Sequence, residues 1–113
     1  MHELSLANGI LGIIRAEQAK NGFERVLEVS LKVGEYSGIV PRCLEEFFPI
    51  AAEGSCAQSA RLHIEVLPAL FRCADCGFEG RPDRERACCP SCGGEHIRMV
   101  SGREFYVENL VVE

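Results

Sequence analysis

Residues 73–93 run CADCGFEGRPDRERACCPSCG, and they divide the chain into two chemistries. Cys73-Ala74-Asp75-Cys76-Gly77 and Cys89-Pro90-Ser91-Cys92-Gly93 are two CxxCG knuckles, with twelve residues between Cys76 and Cys89. Two thiolates three residues apart can grip one edge of a metal ion, and the glycine that follows lets the backbone turn tightly around the sulfurs. Two such knuckles facing each other complete a tetrahedral site of four sulfurs, so Cys73, Cys76, Cys89 and Cys92 are the expected ligands. Zn²⁺ is the expected ion. A rubredoxin-like Fe(Cys)4 electron carrier is the rival, because these knuckles and this spacing suit iron as well. Cys88 could take the place of Cys89, but Cys89 reproduces the spacing of the first knuckle and leaves Cys88 a bystander. The wider stretch 72–103 holds five of the seven Cys and five Gly but few aliphatic residues. It cannot build an apolar core of its own, so the metal is read as a staple that folds it.

Outward from this stretch the hydrophobic pattern becomes regular. Residues 3–20 place Leu4, Ala7, Ile10, Leu11 and Ile14 on one helical stripe, and Asn21-Gly22 ends it. Residues 25–34 alternate, with Leu27, Val29, Leu31 and Val33 on one face and Glu28, Ser30 and Lys32 on the other, the pattern of a half-buried strand. Pro41 suits the first position of a second helix and Gly54 its end. Within it Leu44, Phe47, Phe48 and Ala51 give helical spacing, and Pro49 should kink the helix or loosen its last turn. Residues 61–67 and 104–112 alternate as two further strands. The expected fold is α+β: two helices packed on a three-stranded sheet, with an inserted four-cysteine zinc-ribbon module. Residues 1–71 plus 104–113 are expected to form the α/β domain and 72–103 the zinc-binding module, with the last strand returning to the first domain's sheet.

Composition narrows the function. The chain has 113 residues, 12 Lys+Arg against 17 Asp+Glu, and a formal net charge of −5. Within 73–103 five arginines and five acids cancel, and a Zn²⁺ held by four thiolates adds about −2. Only Phe78 there could stack on a base, so nucleic-acid binding is not expected. No run approaches the roughly 18–20 apolar residues of a membrane span. Leu4–Ile14 is apolar, but His2 and Glu3 precede it and Asn8, Gly9 and Gly12 break it, so it reads as a mature helix without an export signal. Cysteines without such a signal point to metal or thiol chemistry in a reducing compartment, here the cytoplasm.

The amino terminus reads Met1-His2-Glu3. The α-amine of Met1, the backbone nitrogen and imidazole of His2 and the backbone nitrogen of Glu3 can form fused chelate rings. Four nitrogens in a plane suit Ni(II) or Cu(II) better than Zn²⁺. Met1-His2-Glu3-Leu4-Ser5-Leu6, followed by an α/β pattern and two CxxC knuckles, resembles the HypA/HybF family of nickel-insertion accessory proteins for hydrogenase maturation. The resemblance covers essentially the whole chain. It implies Ni²⁺ as transient cargo bound through Met1, His2 and Glu3, and structural Zn²⁺ at the four knuckle cysteines. It also implies a HypB-type GTPase and the [NiFe]-hydrogenase large subunit precursor as partners, with urease a further client in some members.

The remaining candidates carry less. Cys43 reads as a small core residue and Cys56 as a free loop thiol. His63 alternates outward on a strand and reads as solvated. His96, just past the second knuckle, reads as an incidental surface residue that could add a nickel ligand. No nucleophile–base pair, GxSxG, HExxH or P-loop motif is present, so an enzyme is not expected. Beside the nickel carrier and the iron electron carrier stands a third reading, a zinc-ribbon interaction module without metal transfer.

Overall fold

The computed structural model describes residues 3–113. In chain order the elements are α1 Glu3–Asn21, β1 Val26–Gly34, α2 Pro41–Ala52, β2 Arg61–Leu67, β3 Leu70–Cys73, β4 Glu79–Gly80, β5 Ile97–Ser101 and β6 Phe105–Val112. One sheet has the order β2-β1-β6, with β1 and β2 parallel and β6 antiparallel to β1. Parallel neighbours need a crossover, and α2 supplies it. Both helices lie on one face of this sheet: Ala7, Ile10, Leu11 and Ile14 of α1 and Leu44, Phe48 and Ala52 of α2 close over Val26, Val29, Leu31 and Val33. The α+β architecture and the return of the last strand to the first sheet are as the periodicity predicts.

Strict alternation fails at two places. The pairing of β1 with β6 slips between Val26 and Glu28, and again between Ser30 and Leu31. The first slip leaves Leu27 as an extra residue, so Val26 and not Leu27 enters the core, and Leu27 is exposed. The second leaves Glu108 extra on β6, which returns Leu110 to the core face already occupied by Phe105 and Val107. An inserted residue shifts every later side chain to the opposite face, and no local pattern announces it. In α2, Pro41 begins the helix as expected and Phe48 is fully buried, but Phe47 is 38% exposed. Pro49 does not end the helix. Its last turn closes through a three-residue bond from the Glu53 N–H to the Ile50 carbonyl at 3.4 Å.

The second sheet, β4-β3-β5, is antiparallel and forms where the sequence pattern predicts no strands. Its strands are only two to five residues long, too short for a periodic signal. No residue between 65 and 104 belongs to the core cluster. Within 70–103 the buried apolar side chains are Cys73, Cys88 and Cys89. The described residues extend over 54 × 26 × 17 Å with a radius of gyration of 18.0 Å, against about 13 Å for one compact body of this length. The helix-covered sheet and the cysteine-bearing sheet therefore lie end to end.

Candidate metal centre

Cys73 ends β3 and Cys76 follows in the turn. Cys89 and Cys92 lie on the equivalent turn before β5. The two knuckles repeat one backbone design. Gly77 N–H donates to the Cys73 carbonyl at 3.0 Å, and Gly93 N–H to the Cys89 carbonyl at 2.8 Å. Cys73 N–H donates to the Phe78 carbonyl and Cys89 N–H to the Gly94 carbonyl, each at 2.8 Å. Gly77 and Gly93 adopt φ of +79° and +77°, a left-handed turn that a side chain disfavours, and this is why a glycine follows each CxxC.

The four sulfurs of Cys73, Cys76, Cys89 and Cys92 all lie within 4.8 Å of one another. Cys73 Sγ is 3.6 Å from Cys92 Sγ, and Cys76 Sγ is 3.6 Å from Cys89 Sγ. A disulfide would need about 2.05 Å. A tetrahedron of sulfurs about a metal at roughly 2.3 Å has edges of about 3.8 Å. The cluster thus has the size and donor set of a metal site, and Cys89 supplies its fourth sulfur. Cys88 is buried and free, and its carbonyl accepts from the Asp83 N–H at 2.9 Å in the loop between the knuckles.

Charge gives the same answer as distance. Burial opposes ionisation of Cys89, but amide donors, among them the Ser91 N–H at 3.4 Å, outweigh it and pull its thiol down to about 7. The Gly94 N–H, 3.4 Å from Cys92 Sγ, favours that thiolate too, yet the neighbouring sulfurs of Cys73 and Cys76 push Cys92 up to about 12. Four sulfurs this close cannot all be anionic unless a cation sits among them. The fit of a divalent thiophilic ion follows from the donor set itself.

The other sequence candidates are dispersed. Met1 and His2, expected to hold nickel, lie outside the described residues. Glu3, the third, opens α1 and is only 6% exposed. His63 faces outward on β2, where its Nε2 meets the Glu28 carboxylate. Cys43 and Cys56 are half-buried and free. His96 lies on the surface, as expected. Its Nδ1 lies 3.0 Å from Asp75 Oδ2, inside the first knuckle, and the Asp75 carboxylate raises the imidazole pKa. Two contacts escape the sequence reading: this His96–Asp75 pair across the knuckles, and the Glu35–Arg81 pair described below. Neither has a local signal, because the partners are 21 and 46 residues apart.

A family model described as hydrogenase/urease nickel incorporation, metallochaperone, matches residues 1–112. The chain belongs to the HypA family. This is a family of metallochaperones and not of enzymes. The chain is 42% identical over 118 residues to the hydrogenase maturation factor HypA of Solidesulfovibrio magneticus, covering 100% of both. It is 38% identical over 110 residues to the hydrogenase maturation factor HybF of Klebsiella pneumoniae, covering 97% of each. Its fold is similar to the solution structure of the nickel metallochaperone HypA from Helicobacter pylori, with a TM-score of 0.70 at 22% identity, covering 99% of this chain and 97% of that one. A second HypA solution structure aligns with a TM-score of 0.76 at 22% identity, covering 100% of this chain and 97% of that one. Among the described residues no helix is long and apolar enough to cross a membrane.

Proposed function

We propose that this chain is a nickel carrier that binds Ni(II) transiently at its amino terminus and delivers it during [NiFe]-hydrogenase maturation. The family match over residues 1–112 carries this reading. Met1, His2 and Glu3 supply the nickel donors: the α-amine, two backbone nitrogens and one imidazole. A terminal site suits transfer, because its donors can leave one at a time to an incoming ligand. Cys73, Cys76, Cys89 and Cys92 hold Zn²⁺ as a structural ion, and the sulfur spacing and the tetrahedral donor set support that assignment. Residues 1–71 with 104–113 then act as the nickel domain and 72–103 as the zinc module.

Ligand exchange needs recipients. The chain shows no nucleotide motif of its own, so a HypB-type GTPase is the proposed partner and the hydrogenase large subunit precursor the proposed client. Urease is a second client class, which the family's description supports. The proposed compartment is the reducing cytoplasm, a reading that the absence of disulfides among the described cysteines supports. Affinity alone cannot make such a site nickel-specific, since Cu(II) binds nitrogen ligands more tightly; availability and partner contacts must select the metal.

Calorimetric titration of Ni(II) into the untagged chain tests the reading. His2→Ala, or any residues left upstream of Met1, should abolish tight nickel binding and leave zinc content and fold intact. Unchanged nickel affinity in both variants would overturn the terminal site. Binding should also weaken as pH falls from about 8 to 6, when amine and imidazole gain protons. Colour separates the iron alternative, because an oxidised Fe(Cys)4 protein is red and the zinc protein colourless.

A further inference from the structure

The two sheets meet where Pro68-Ala69 and Gly102-Arg103-Glu104 pass from one to the other. The backbones are in direct contact there. A Cβ on Gly34, at the end of β1, would collide with the Gly102 carbonyl, and one on Gly102, at φ +128°, would lie 2.8 Å from Ala69 Cα. The turn after β1 is bonded to both sides of the junction: Glu35 N–H donates to the carbonyl of Leu67, the last residue of β2, at 2.8 Å, and Tyr36 N–H to the Gly102 carbonyl at 2.7 Å. Glu35 then adds its side chain. Its Oε1 accepts from the Ala69 N–H at 2.7 Å and from Arg81 Nη2 at 2.8 Å, and its Oε2 lies 3.9 Å from Arg84 Nη2.

Arg81 and Arg84 belong to the loop between the two knuckles. That loop carries no apolar side chain of the core cluster. It is ordered by local bonds and by its ends. Asp83 N–H donates to the Cys88 carbonyl, and Asp83 Oδ1 accepts from Glu85 N–H at 3.0 Å and Arg86 N–H at 3.2 Å. At its ends, Cys76 Sγ and Cys89 Sγ stand 3.6 Å apart. Arg81 directly follows β4, which is paired to β3 through Phe71 and Gly80, and Arg84 lies three residues farther on, so both arginines are carried by a loop whose start is held by the β3–β4 pair and whose ends meet at the four-sulfur cluster.

We propose that Glu35 is the positioning residue that fixes the cysteine module on the helix-covered sheet, by binding the junction amide of Ala69 and two arginines of the loop that the four-sulfur cluster closes. Closure of the cluster is then felt at the end of β1, the central strand under α1 and α2. This rests on the reading of the four cysteines as a metal site. The route runs through one carboxylate that touches both the junction and the inter-knuckle loop. Because Glu35 directly follows β1 of the nickel domain, it gives the zinc module a physical connection to the domain that carries the cargo.

Amide hydrogen exchange on the zinc-loaded full chain tests this, with zinc content measured on the same samples. In Glu35→Gln the hydrogen-bond acceptor stays and the charge goes, so exchange at Ala69, Tyr36 and Gly102 should rise about three- to ten-fold, as expected for losing a partly exposed ion pair and weakening one amide bond. Arg81→Met, which leaves the first sheet untouched, should give the same amides a similar rise. Stripping zinc from the unaltered chain with a chelator should raise them as well, and stripping it from Glu35→Gln should add little. Full protection of these amides in either zinc-loaded variant, or in the stripped parent chain, would overturn the proposal. If the parent chain takes up no zinc at four sulfurs by X-ray absorption, the metal-site reading fails separately.

Discussion

At the scale of single residues, the cysteine cluster separates neighbours that the sequence leaves nearly equivalent. Cys88 and Cys89 are adjacent and both buried, yet only the Cys89 sulfur joins those of Cys73, Cys76 and Cys92. Cys89→Ser should lower bound zinc well below one equivalent, while Cys88→Ser should retain a full equivalent; elemental analysis of the purified variants checks both. Equal losses would mean that Cys88 is a ligand. The spacing of the knuckles makes Cys89 legible in advance, because each CxxCG must present two sulfurs and one tight turn in the same order. His96 is not legible in this way. Its bond to Asp75 depends on the second knuckle folding against the first, and no spacing rule links the two residues.

At the scale of elements, helical and strand periods locate α1, β1, α2, β2 and β6, because each buries one face against a common core. What they cannot locate are the interruptions. The slips at Leu27 and Glu108 reverse the alternation of β1 and β6, and they arise from pairing between strands far apart in the chain. Pro49 is the opposite case, a local rule that tertiary packing overrides. Phe48 and Ala52 are buried on either side of it, and their burial holds α2 together although residue 49 has no N–H to donate. The missing bond should still cost. Pro49→Ala should raise stability by about 1–3 kcal/mol, seen in urea denaturation as a higher midpoint with the slope unchanged. A lower midpoint would show that the proline contributes packing that outweighs the lost hydrogen bond.

At the scale of the whole molecule, two bodies stabilised by different physics share one chain. The helix-covered sheet has an apolar core that includes fully buried Phe48, Ile10, Leu11 and Ile14. The cysteine-bearing sheet has almost none, so its folding energy must come from metal ligation. Removing zinc with a strong chelator should therefore abolish exchange protection across residues 70–101 while the helical circular dichroism of α1 and α2 persists. Loss of both signals together would mean that the first sheet cannot stand without the second. The sequence by itself determined which segments are amphipathic, which cysteines are paired into knuckles and which segment lacks a core, since all three depend on residue type and short spacing. Only the tertiary structure decided which side chains the bulges turn inward, how β3 and β5 pair, and that Glu35 reaches Arg81 across the junction. Those outcomes depend on strand register and on where two bodies touch, quantities that exist only once distant segments have met.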